Sequence, residues 1–222
     1  MLKTKELGHI LIATVILIFV VNFHLLVSEK NIPDLFLTNT ISIALVLATS
    51  LLAKKLTAYY YECKIEHKIW SGNRYGFKPN QHFKTPIPYG IVVPFITTFI
   101  SYGYFLWMSI LEFEIKPLPQ KSSKRHGIYR YSEITDTTIG IIAASGVIIN
   151  LILSIIGYIV GFTIFARFSI YFAFFSMIPF GNLDGTKILF GSTTGRSGTK
   201  PILWIILLTI CVIFLVFGLM TL

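Results

Sequence analysis

Long apolar runs with few or no charges constrain this chain more than any other feature. His9 to Val27 is nineteen residues with no Asp, Glu, Lys or Arg. A transmembrane α-helix needs about twenty predominantly apolar residues. Further runs follow: Leu35 to about Tyr60, Ile87 to Leu111, Thr137 to about Phe165, Phe168 to Pro179 leading on to Phe190, and Pro201 to Met220. The chain is 54% hydrophobic and 13% charged, against about 25% charged for a soluble domain. The runs predict an all-α polytopic membrane protein of about six transmembrane helices, multi-pass in the cell membrane. The first run has no small-residue cleavage site and reads as a retained span rather than a signal peptide. Three parts are expected: 1–34, the first helix and its loop; 35–192, a membrane core; and 193–222, a linker and the C-terminal helix.

Between the runs lie polar, basic insertions. Residues Cys63 to Trp70 alternate as a strand does, and Asn73, Gly76, Pro79, Asn80 and Pro86 supply turns. A small β-sheet at the membrane surface is expected here, with Phe113 to Pro119 extended. His67 and His82 have no partner at metal-binding spacing and are expected as exposed polar side chains. Net charge is +9, with much of the Lys and Arg in segments 62–86 and 116–130. In a chain this apolar, that placement points to lipid headgroups rather than nucleic acid. Those two segments fall on opposite sides if every span crosses fully, and the N-terminus is expected in the cytoplasm. Cys63 and Cys211 stand far apart with no CxxC, so neither a disulfide framework nor a thiolate metal site is expected.

A few polar residues sit where lipid would surround them, and such residues need a reason. Asp184 lies in Ser176-Met-Ile-Pro-Phe-Gly-Asn-Leu-Asp-Gly-Thr-Lys187, a turn between apolar segments. Broken backbone at membrane depth lines cavities or protein interfaces. Lys54 and Lys55 fall late in the second run, and Asn150 falls inside the fourth, after the small residues Gly140, Ala143, Ala144, Ser145 and Gly146 that permit close helix approach. Long lysine stems can snorkel to the interface. That is the expectation for Lys55; for Lys54, snorkelling and pairing with Asp184 both stay open. Lys5-Glu-Leu-Gly-His9 has the form of HExxH without its first histidine, lies outside the first span, and is read as coincidence.

Three stretches together resemble the site-2 protease family of intramembrane zinc metalloproteases, particularly its compact archaeal members. Ser50-Leu-Leu-Ala-Lys54, followed by aromatic residues and the Cys63–Trp70 strand, looks like the HExxH helix and its exit. Ser145-Gly-Val-Ile-Ile-Asn150 looks like the small-residue stretch, with Val147 where proline is usual. Pro179 and Leu183-Asp184-Gly185 match the Asn-x-x-Pro-x-x-x-Leu-Asp-Gly turn, with Ser176 in place of its leading Asn. The resemblance covers most of residues 40–192. It implies a zinc held by two histidines and the Leu-Asp-Gly aspartate, and a glutamate that activates water. Here the histidine positions are Ser50 and Lys54 and the glutamate position is Leu51; Asp184 alone keeps a ligand. A catalytic zinc needs three protein ligands and an open position. The resemblance with this departure implies a proteolytically inactive homologue, with no catalytic residue and no cofactor. Its site would be lined by Lys54, Asn150, Pro179, Leu183, Asp184 and Gly185. It would bind a transmembrane partner or serve in a membrane complex. The alternative is an active protease with a non-standard zinc site. A transporter also uses broken helices and buried polar residues, but no inverted repeat is found.

Overall fold

The computed structural model describes residues 4–27, 33–74, 82–117, 135–193 and 202–220. Within them the chain is mostly helical with a small antiparallel sheet. Helices α1 (Thr4–Val27) and α2 (Pro33–Tyr60) form an antiparallel pair. Pro33 opens α2, where its missing N–H is not needed, and Asp34 in the first turn suits the helix dipole. Near the end where α1 leads to α2, the buried Asn39 amide donates to Asn22 Oδ1 at 3.2 Å, and Asn22 donates to Ile18 O. The pairing satisfies polar groups that lipid could not.

Strand β1 (Cys63–Ile69) follows α2 and pairs antiparallel with β4 (Leu111–Pro117), in register from Cys63↔Pro117 to Ile69↔Leu111. The extended segment expected at Phe113 to Pro119 thus starts two residues earlier. Cys63, Ile65, His67 and Ile69 face inward, and Lys64, Glu66 and Lys68 face outward. Short strands β2 (Gly72–Arg74) and β3 (His82–Ile87) form a second pair. The His82 side chain and the expected basic loop 120–130 lie outside the described residues, as do 28–32 and 194–200.

The third expected span differs from the expectation. Ile87 to Leu111 is not one helix: α3 (Tyr89–Ile100) has twelve residues and contains Pro94. Tyr102 and Gly103 then take positive φ, 51° and 83°. Beyond them the chain runs back without regular structure to β4. Both ends of this excursion meet at Trp70: its N–H donates to Ile110 O, and its carbonyl accepts from Gly90 N, each at 2.9 Å. The tip rests on the far end of α1, where a Cβ on Gly103 would lie 2.8 Å from His24 N. Proline removes a helix donor and left-handed residues end the ladder, so an apolar run of spanning length folds into a hairpin.

Helix α4 (Asp136–Val160) is capped by Thr135, whose hydroxyl accepts from Thr138 N at 3.3 Å. Helix α5 (Thr163–Ser176) returns along it, and a turn leads to α6 (Asp184–Thr193). Helix α7 (Ile202–Met220) closes the chain. Among the described residues, α1, α2 and α4, at 24, 28 and 25 residues, are long and apolar enough to cross a membrane. The other apolar helices are shorter. One apolar cluster joins α1, α2 and the α3 hairpin to α5; the other joins α4, α6 and α7 to the inner face of β1 and β4. The late turns of α2 lie between the two.

Candidate functional site

The site forms where the last turns of α2 cross the middle of α4. Thr49 Oγ1 lies 3.3 Å from Asn150 Oδ1, one turn along from the contact of Ser50 and Lys54 with Gly146. A Cβ on Gly146 would collide with Lys54 Cε and lie 2.8 Å from Ser50 Oγ. The small-residue stretch therefore makes the space through which the Lys54 stem passes. Asn150 is fully buried, and its amide nitrogen has no hydrogen-bond partner among the described residues.

The opposite wall comes from the turn between α5 and α6. Leu183 is fully buried and anchors the turn in the core. Gly185 packs against the Met177 carbonyl, and a Cβ there would lie 2.7 Å from Ile178 O. Pro179 is exposed on the outside of the turn. Phe180, next to it, meets the Trp70 ring edge-on at 5.5 Å. The turn thereby delivers Asp184 to the first position of α6, where the helix dipole favours a carboxylate.

Lys54 Nζ pairs with Asp184 Oδ2, and both side chains are only 5% exposed. The pairing expectation for Lys54 describes its position; the snorkelling one does not. The ammonium lies 5.6 Å from the Phe113 ring centroid. One turn beyond Asp184 in sequence, Lys187 Nζ lies 3.7 Å from the same centroid and donates to Phe113 O at 2.5 Å. Lys187 was not among the expected site residues. Its signal was its spacing, three residues after Asp184 on one helix face.

Beside the pair is a small cavity of about 10 Å³, lined by Ser50, Leu51, Lys54, Ser109, Ser176 and Asp184 among apolar neighbours. That is room for about one water. Asp184 Oδ1 has no hydrogen-bond partner among the described residues. Ser50, Leu51 and Lys54, and Asp184 far from them in the chain, therefore share one pocket. As a zinc site this donor set does not fit. It offers one carboxylate, already bonded to an ammonium, and a serine hydroxyl. Among the described residues no three His, Cys, Asp or Glu side chains are grouped to hold a metal.

A second buried cluster lies at the start of α1, and here two expectations need correction. His67 is 2% exposed rather than exposed. Its Nδ1 is 3.1 Å from Glu6 Oε1, and its backbone N–H donates to the same oxygen at 3.2 Å. Lys55, with its side chain 29% exposed, places its Nζ 2.7 Å from the same Glu6 Oε1. Glu6 is buried within α1 rather than lying outside the first helix. Burial, reinforced by the nearby Lys54 charge, pushes the His67 imidazole down to about 4 against the pull of Glu6. The ring is neutral at physiological pH, and Nδ1–H donates to the carboxylate. Strand alternation was the available signal: His67 shares its parity with Cys63, Ile65 and Ile69, all turned inward.

No family model, no curated protein and no solved structure matches this chain. The functional reading rests on the residues and their geometry.

Proposed function

We propose that this chain is an integral membrane protein with a site-2-protease-like core that no longer hydrolyses peptides and instead holds a membrane partner, a transmembrane protein or a subunit of a membrane complex. One observation carries the reading. The ammonium of Lys54 sits on Asp184, in the pocket that Ser50 and Leu51 also line. The lone carboxylate is neutralised by a cation from the position where the family has a histidine. A buried carboxylate needs such a partner or a proton. Leucine at the base position cannot take a proton from water.

The finer membrane arrangement belongs to the same proposal. The start of α1, the end of α2, the β1–β4 sheet, the start of α4 and the end of α5 lie at one end of the molecule. Helices α1, α2, α4, α5 and α7 then cross, and the α3 hairpin enters and leaves on that end. The described basic residues Lys64, Lys68, Lys84 and Lys116 come to one side, which the positive-inside rule makes cytoplasmic.

The test is to rebuild the metal site. Ser50→His, Leu51→Glu and Lys54→His together should raise zinc in the purified protein to about one per chain, held with Asp184. Elemental analysis reads this directly, with wild type expected to be zinc-free. A folded triple variant without zinc, or wild type with one zinc per chain, overturns the reading.

A further inference from the structure

Between α1 and α2 runs a groove of about 310 Å³, separate from the buried pocket. Ile10 and Thr14 form one wall, and Ala44, Ala48 and Leu52 the other, with Lys55 at one end. Leu47 and Leu51 form its floor and on their other side face the cavity beside Lys54 and Asp184. The Thr14 hydroxyl is turned to its own Ile10 carbonyl at 2.8 Å, so the walls present carbon rather than donors. Ala48 and Leu52 are exposed, and the groove is open to the lipid side.

We propose that this groove binds a single anionic glycerophospholipid, with one acyl chain along Ala44, Ala48 and Leu52 and the phosphate at Lys55. Three observations fix the occupant. The first is length. From Ala44 to Lys55 the groove follows α2 for about 16 Å at 1.5 Å per residue. That is half of a hydrocarbon core about 30 Å thick, the depth of one leaflet. The second is volume. The groove is roughly twice the ~150 Å³ that accommodates benzene in an engineered protein cavity, enough for much of one acyl chain and too narrow for a helix. The third is charge. Lys55 bonds Glu6 with one of its donors, but its side chain remains 29% exposed, and Lys5 beside Glu6 is exposed too. This is also the end of the molecule that carries β1, whose outward face bears Lys64, with Lys68 beside it already paired with Glu112 and Glu114. Anionic lipid is the headgroup chemistry that such an end attracts. The inference needs only the membrane location and stands whether or not the core is of site-2-protease type.

Native mass spectrometry of the full chain in detergent micelles, titrated with dioleoylphosphatidylglycerol or dioleoylphosphatidylcholine, tests it. Wild type should retain one phosphatidylglycerol per chain, about fivefold tighter than phosphatidylcholine, the effect of one lysine at a lipid surface. Ala48→Trp fills the groove from an exposed position and should abolish retention of both lipids while the melting curve stays cooperative. Lys55→Arg should keep the preference and Lys55→Gln should reduce it to near parity. Equal retention of the two lipids by wild type overturns the phosphate site. Unchanged retention in folded Ala48→Trp overturns the groove. Because Ala48 and Lys55 lie outside the Lys54–Asp184 pocket, these outcomes are independent of the zinc-rebuilding result.

Discussion

Lys54 and Asp184 carry opposite charges at a depth where neither is sustainable alone. A buried ion pair contributes little net stability, because desolvation cancels most of the attraction, but removing one partner leaves an uncompensated charge. Asp184→Asn or Lys54→Met should each lower unfolding stability in detergent by about 3 kcal/mol. The double variant should recover more than half of that loss, and the cycle of four unfolding curves isolates the coupling. Additive losses in the double variant would show that the pair is not coupled. His67 gives a second expectation. In the fold its pKa is about 4, whereas in the unfolded chain it takes up a proton below about 6.5. Protons therefore favour the unfolded chain. Stability is full above pH ~6.5 and declines, by about 3 kcal/mol, as pH falls toward ~4. His67→Gln has nothing to protonate, so its stability should fall less steeply across that window in pH-dependent thermal melts. An unchanged slope would assign the acid sensitivity to other groups.

Among the elements, the α3 hairpin departs furthest from what hydrophobicity suggests. Its run of twenty-five uncharged residues has spanning length, yet local chemistry divides it. Pro94 lacks a donor, and Gly103 is left-handed against His24. An L side chain in that conformation costs about 1–2 kcal/mol per residue, and here it would also meet the α1 backbone. Gly103→Ala should therefore destabilise by at least about 1 kcal/mol, read from denaturant unfolding in detergent. A neutral outcome would mean that the hairpin tip is not fixed by this turn. The β1 strand shows the opposite case. Its alternation was legible from Cys63 to Ile69, but a histidine in the inward series was read as polar and outward. Strand parity turns it inward; what no local pattern contains is its partner there, Glu6, sixty-one residues away.

For the whole molecule, the proposed arrangement puts the charges that flank the hairpin on one side. Lys64 and Lys116 are paired across the β1–β4 sheet, and Lys84 is on β3. At the opposite end α2 begins with Asp34 in its first turn. In a Cys63→Ser, Cys211→Ser background, Lys84→Cys and Lys116→Cys should be shielded from a membrane-impermeant maleimide in intact cells, and Asp34→Cys should be labelled. Labelling of positions 84 and 116 from opposite sides would mean that the 87–111 segment crosses.

The sequence by itself determined three long apolar helices, α1, α2 and α4, the β1 alternation, and Asp184 and Lys54 as charges that need a partner. These follow from apolar run length, period-two patterning and the cost of charge in lipid, all of which are local. The tertiary structure alone decided the rest: that Lys54 reaches Asp184, that Lys55 and His67 meet at Glu6, and that a spanning-length run turns back at Gly103. Each depends on backbone approach between segments far apart in the chain. Gly146, with no side chain to block the Lys54 stem, is where that approach becomes possible.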